Sequence, residues 1–149
     1  MGYPLATKIR NSMRNVLTGA RIIYLRKIYG MDIGRGCKIA MTARLDKTNP
    51  SGIKIGEYTG IAMGSVILAH DFLNNRHLST KVGSNCHIGA NCVVLPGITI
   101  GNGVIASSGS IIVRDVPDNC IIAGNPARIV ERNIVVGHWG IFQKTESQK

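Results

Sequence analysis

Val82-Gly83-Ser84-Asn85-Cys86-His87-Ile88-Gly89 leads into Ala90-Asn91-Cys92-Val93-Val94-Leu95-Pro96-Gly97-Ile98-Thr99-Ile100-Gly101, and an aliphatic residue returns every sixth place. The same beat continues through Ala106-Ser107 and Ile112-Val113. It is already present upstream as Ile33-Gly34, Ile39-Ala40 and Leu45-Asp46, then as Ile55-Gly56, Ile61-Ala62 and Ile67-Leu68. Two interruptions shift its phase, one from Lys47 to Ile53 and a longer one from His70 to Lys81. Four places beyond the aliphatic the residue is usually small: Cys37, Ala43, Thr59, Ser65, Cys86, Cys92 and Ser110. A period of six fits neither the 3.6-residue helix nor a two-sided strand. It fits a short strand plus a corner, three such units closing one triangular coil of about 18 residues, as fixed-period repeats build solenoids. The aliphatics point inward, the small residues fill corners and Gly permits the turn. Val82 then stacks beneath Ile100, Ile88 beneath Ala106 and Val94 beneath Ile112. The expectation is an all-β repeat, a parallel β-helix of about four coils.

Composition agrees. Aromatic residues are 5% of the 149-residue chain while Gly reaches 18, so Ile, Val and Leu must build the core. None of the four cysteines, Cys37, Cys86, Cys92 and Cys120, forms a C-x-x-C pair, and no secretory leader precedes them, which predicts buried reduced thiols in a cytoplasmic protein. No apolar run reaches the ~18 residues of a membrane span. The inward aliphatics alone offset only part of the backbone ordering, so further buried surface from oligomerisation is expected.

The stretch from Val82 to Val130 resembles the hexapeptide-repeat acyltransferases. The likeness runs through Leu95-Pro96-Gly97-Ile98-Thr99-Ile100-Gly101 and closes with Asp115-Val116-Pro117 and Ala123-Gly124-Asn125-Pro126-Ala127. It covers about residues 33–132, nearest to the short O-acetyltransferases of surface polysaccharide and glycan synthesis. The resemblance implies left-handed coiling and a homotrimer with active sites between subunits. It implies an acetyl-CoA-dependent acetyltransferase that acts on a sugar or glycan hydroxyl or amine, with no metal.

Residue by residue, His70 matches the family's general base, at the head of the loop Ala69-His70-Asp71. Acetyl-CoA is already activated, so the enzyme has only to deprotonate the acceptor and stabilise an oxyanion; an imidazole suits the first task and corner N–H groups the second. Asp71 orients the base or binds the acceptor, and His77 is the alternative base. Ala90 and Ser108 match the positions that touch the coenzyme's tail, and Arg114 and Arg128 those near its phosphates, where guanidinium chemistry is apt. His87 stands where relatives carry Trp, so its role is open, and His138 reads as structural or exposed. Galactoside-acetylating relatives carry an acceptor-contacting Asn where this chain has Met41-Thr42-Ala43, so acceptor specificity is not carried over.

Flanking segments complete the reading. Residues 1–32 form an amphipathic helix with Ile9, Met13, Val16, Leu17, Ala20, Ile23 and Tyr24 on one face, flanked by Arg10, Arg14 and Arg21 on one side and Lys8 and Arg26 on the other. The helix either caps the first coil, whose open edge needs cover, or touches an anionic membrane from the inner side, weakly and peripherally. Residues 133–149 are a tail without repeat. Of the net charge of +10, residues 1–54 supply +9 (11 Lys/Arg against Asp32 and Asp46) and residues 55–149 supply +1 (7 against 6). Charge alone suggests nucleic acid, but no recognition module or aromatic interleaving accompanies it, and no nucleic-acid partner is expected. A zinc enzyme on the same prism, resembling the γ-class carbonic anhydrases, would need three convergent His including a pair five apart, and no such pair exists among His70, His77, His87 and His138. A non-catalytic scaffold is the alternative function.

Overall fold

A six-residue unit that gives four residues to a corner leaves two for a strand, and two-residue strands are what the chain forms. A computed structural model describes residues 4–143. They make a left-handed parallel β-helix of triangular section, preceded by helix α1 (Leu5–Lys27). The first face stacks Asp32–Ile33, Ile53–Ile55, Thr80–Val82 and Thr99–Ile100; the second stacks Lys38–Ile39, Gly60–Ile61, His87–Ile88, Ile105–Ala106 and Cys120–Gly124; the third stacks Arg44–Leu45, Val66–Ile67, Val93–Val94 and Ile111–Ile112. The expected stacking holds: Val82 pairs with Ile100, Ile88 with Ala106 and Val94 with Ile112. All twelve repeat aliphatics are 5% exposed or less.

The small residues do more than fill space. Thr59 Oγ1 donates to the Gly83 carbonyl (2.6 Å) and accepts from the Cys86 N–H (3.2 Å), while Ser65 Oγ does the same with Gly89 (2.6 Å) and Cys92 (3.3 Å). Each hydroxyl thus ties one coil to the next and satisfies polar groups that a dry corner would strand. The four cysteines are free thiols; Cys86 is fully buried, which pushes its thiol up to about 11.

The glycines that directly follow a repeat aliphatic, Gly34, Gly56, Gly83, Gly89 and Gly101, have a different task from the turn expected of glycine. Gly83 lies against the next coil, where a Cβ would sit 2.6 Å from the Gly101 carbonyl carbon. The left-handed turn comes two residues later, at positions such as Gly64 (φ 71°) and Asn91 (φ 56°). Close approach, not turn geometry, selects Gly83.

A partial fifth coil continues through Val116, bridged to Ile100, and Cys120–Gly124. The six-residue count missed it because Val116 follows Ile100 by 16 residues rather than 18. Ala127–Arg132 then folds back antiparallel on Cys120–Gly124. Beyond it the tail returns along the edge between the first and second faces, and Trp139 Nε1 donates to the Gly36 carbonyl (2.7 Å) 103 residues away. His138 stacks on Tyr58 at 3.7 Å between ring centroids.

Helix α1 covers the first coil, but through the side opposite its apolar stripe. Ile22 and Leu25 are buried, Arg21 donates to the carbonyls of Ala40 and Ala43, and Arg26 donates to those of Ile33 (2.7 Å) and Gly34. Ile9, Met13, Val16, Leu17, Ile23 and Tyr24, the face expected to pack, are all exposed. Carbonyls at the corners of the first coil need donors, which guanidinium groups supply and aliphatic side chains cannot.

Gly83→Ala should force two coils apart and lower stability by about 1–3 kcal/mol. Gly19→Ala, where a Cβ meets nothing within 4 Å, should be neutral or stabilising by up to ~1 kcal/mol. Urea midpoints of the two variants check this contrast.

Candidate active site

The longer interruption leaves the third face after Ile67 and returns to the first at Thr80. It forms a small hairpin in which His70–Asp71 pairs antiparallel with Arg76–His77. His70 is half-buried, His77 exposed, and their rings meet edge to face at 5.3 Å. Asp71 accepts from the Asn74 side chain (2.7 Å), the Asn74 N–H (3.2 Å) and Arg76 (3.1 Å), which together hold its carboxyl below the usual carboxylate range. Its hydrogen-bond partners therefore lie inside the hairpin, and none of them is His70.

What braces His70 comes from the coil below. Buried Asn49 donates through Nδ2 to the carbonyls of Ala69 (2.9 Å) and Leu78 (3.0 Å), one at each foot of the hairpin. Thr80 Oγ1 donates to Leu68 (2.6 Å) and accepts from the Gly97 N–H (2.9 Å). Asp46 accepts from the Ala69 N–H (3.0 Å) and faces that of His70. Burial raises the Asp46 carboxyl, but the backbone donors of Ala69, Thr48 and His70 outweigh it and hold it below its ordinary value. A depressed folded value means that this brace is complete above about pH 4 and is lost only as pH falls through the lowered value. Asn49 and Asp46 escaped the sequence reading because they lie outside the loop, and Thr80, inside it, was not singled out. The only signal for Asn49 was the first interruption, in which it lies; Asp46 stands in the repeat immediately before it.

The remaining candidates divide between two edges of the prism. Ala90 and Ser108 stack on the edge between the second and third faces, where Ala90 N–H meets Ser108 Oγ at 3.1 Å; Met41 and Met63 continue that column downward. His70 and Arg114 share the opposite edge of the third face, two coils apart, about 10 Å at strand spacing. The third face itself separates the two edges by on the order of 20 Å. Within one chain, then, His70 is not brought to Ala90 and Ser108.

Arg114 and Arg128 do come together. With Arg132, which the sequence reading did not single out, they line a cavity of about 310 Å³ beside Ile112 and Ile129. Asp115, also on its wall, is engaged with the Thr99 N–H (2.7 Å), and no ion pair involves these three arginines among the described residues. Three guanidinium groups in one groove, none of them neutralised by a carboxylate there, suit phosphate. A second cavity, of about 520 Å³, lies under helix α1 against the second face, lined by Met41, Met63, His87, Lys38, Trp139 and Arg14 among others. Lys38 Nζ sits 3.4 Å from the Trp139 ring centroid. No group of three metal-ligating side chains occurs among the described residues.

The family model described as bacterial transferase hexapeptide (six repeats) matches residues 79–114. Protein CapG of Staphylococcus aureus is 35% identical over 119 residues, covering 72% of this chain and 68% of CapG. The Bacillus subtilis (strain 168) protein that bears the acetyltransferase name YvoF is 36% identical over 107 residues, covering 70% of this chain and 62% of its own length. Serine acetyltransferase 2 of Arabidopsis thaliana is 32% identical over 133 residues, 86% of this chain but 41% of the relative. The chain thus spans less than two thirds of the last two. A maltose O-acetyltransferase structure from Clostridium difficile 630 superposes with a TM-score of 0.59 at 24% identity, over 75% of this chain and 74% of that one, a likeness of fold.

Asn49→Ala should strand two carbonyls, each unpaired group worth about 1–3 kcal/mol, and free the root of the hairpin. Limited trypsin digestion should then cut after Arg76 faster than in the wild type, with the far-ultraviolet dichroism of the prism retained.

Proposed function

The chain belongs to the bacterial transferase hexapeptide family, and from that premise we propose that it transfers an acetyl group from acetyl-CoA to a sugar hydroxyl of a glycan or surface polysaccharide, with His70 as general base. The observation that carries this reading is the His70 hairpin, held at both feet by Asn49 at one end of an uncovered apolar face. The His70 imidazole takes the proton of the acceptor hydroxyl as its oxygen attacks the thioester carbonyl. Collapse of the tetrahedral intermediate forms the ester and breaks the C–S bond, and the coenzyme leaves with its sulfur taking up a proton. A backbone N–H at a coil corner is the natural donor to the oxyanion.

Assembly completes the site. Outward residues of the first face are Asp32, Lys54, Lys81 and Thr99; those of the third are Arg44 in the first coil and then Val66, Val93 and Ile111, bordered by Leu68, Leu95 and Val113. Among the described residues only the third, above Arg44, presents a continuous apolar surface that neither α1 nor the tail covers. A closed ring in which each copy turns this face to the axis sets the edge bearing Ala90 and Ser108 beside the next copy's edge bearing His70, a head-to-tail contact. This supports a homotrimer. The acetyl donor then lies between copies, with its tail along Ala90 and Ser108 and its nucleotide phosphates at Arg114, Arg128 and Arg132. The 520 Å³ cavity adjoins the same edge through Met41 and Met63 and has room for the acceptor.

His70→Ala should lower turnover by ~10²–10⁴ while the affinity for acetyl-CoA is retained, and His77→Ala should change turnover little. Thiol release in an acceptor screen reads this, with free serine as the comparison because serine acetyltransferases are among the relatives. Loss in His77→Ala and not in His70→Ala would reassign the base, and serine outpacing every sugar would reassign the acceptor.

Arg128→Ala should weaken CoA more than dephospho-CoA, since a charge-assisted contact to the 3′-phosphate, worth about 1.5–3 kcal/mol, would be lost. Calorimetric titration of both ligands compares the losses; equal losses would place Arg128 elsewhere on the coenzyme.

A further inference from the structure

Helix α1 carries its largest side chains on the side turned away from the prism. Leu5, Ile9, Met13, Val16, Leu17 and Ile23 fall within an arc of about 120° at 100° per residue, and their exposures run from 52% at Ile9 to 73% at Leu5. At 1.5 Å per residue the 23-residue helix is about 35 Å long, so the stripe is a long one. Nothing else in the described chain covers it, because the helix is held from the opposite side by Ile22, Leu25, Arg21 and Arg26.

The charge around the stripe identifies its occupant. Residues 1–31 contain no Asp or Glu, while α1 carries Lys8, Arg10, Arg14, Arg21, Arg26 and Lys27. Arg21 and Arg26 are engaged with the first coil, and no ion pair involves the other four among the described residues. Lys8 borders one side of the stripe and Arg10 and Arg14 the other. Two copies joined through this stripe would bring these cations together with no acid on either helix to pair them. The helix is too polar to cross a bilayer: no helix among the described residues is long and apolar enough. A helix with an apolar arc edged by cations, and a polar side too charged for the bilayer interior, lies in the plane of a lipid surface, with its aliphatics among acyl chains and its basic groups at head groups. We propose that α1 seats this protein on an anionic membrane surface through Leu5, Ile9, Met13, Val16 and Ile23, with Lys8 and Arg10 at the lipid phosphates. The proposal stands on the helix alone and does not depend on the transferase reading.

The test is flotation of the purified full chain with vesicles of phosphatidylcholine alone or mixed with phosphatidylglycerol, at low and high salt. The wild type should float with the anionic vesicles at low salt, roughly tenfold or more better than with zwitterionic ones, and lose most of that in high salt. Ile9→Glu/Val16→Glu should abolish flotation while keeping the wild-type melting temperature and the oligomer mass by light scattering. Wild-type protein that stays at the bottom with both vesicles overturns the proposal. So does a double variant that still floats like wild type, since binding would then run through other basic surfaces. A double variant that falls to a smaller oligomer also overturns it, because the stripe would then be a contact between copies.

Discussion

Each coil lies on the next at backbone hydrogen-bonding distance around its whole perimeter, and this contact governs what every position can be. On all three faces N–H and C=O groups meet at about 2.8–3.0 Å, as in Gly60 to Cys86, Val66 to Cys92 and Gly83 to Ile100. Residues one coil apart therefore form columns, and a column accepts one class of side chain. Inward columns take Ile, Val or Leu because their neighbours above and below are also aliphatic. The column of Gly56, Gly83 and Gly101 takes no Cβ, since one would enter the backbone above it. Most positions of two corner columns take Thr, Ser or Cys, which are small enough to fit and polar enough to satisfy a carbonyl, with Ala43 and Val104 as apolar exceptions.

That constraint is why so much of the fold was legible. A column rule is a period in the sequence, and the period located the inward residues from Ile33 to Ile112 and the register of the coils from Val82 to Ile112. What the period could not carry was anything that contacts the prism without stacking in it. Val116 belongs to a shortened coil, so it falls out of phase although its backbone still pairs with Ile100. Trp139 reaches Gly36 across 103 residues through one hydrogen bond, and no spacing announces such a contact. Glycine was expected to permit the turns, which holds at Gly64 and Gly97 but not at Gly83, because sequence cannot separate a glycine needed for φ > 0 from one needed for proximity.

The candidate site was legible in part for the same reason. His70 was singled out because it matches the family's general base at the head of a loop thrown out of the repeat. Its bracing was not, since Asn49 and Asp46 act from the coil below through carbonyl and N–H groups that have no side-chain signature. Asp71, adjacent in sequence, bonds to Asn74 and Arg76 and rigidifies the hairpin itself. The separation of His70 from Ala90 and Ser108 also follows from the columns, because residues on different edges of one prism are a face apart however the chain is numbered. Bringing unlike edges together requires a second copy, and the apolar third face between them is where a copy would sit.

The two ends of a solenoid pose a different problem from its body, since an end coil has carbonyl groups and no coil beyond. At the far end the antiparallel strand Ala127–Arg132 flanks the last strand of the second face. At the near end Arg21 and Arg26 of α1 reach the corner carbonyls of the first coil, with Ile22 and Leu25 packed between them. A helix that capped the coil by apolar contact alone would bury its own stripe and leave those carbonyls without donors. Capping through guanidinium groups reverses the helix, so that its polar side meets the prism and its aliphatic side meets whatever lies outside. The first coil's need for hydrogen-bond donors is therefore the reason that this repeat carries an exposed, cation-edged apolar face at all.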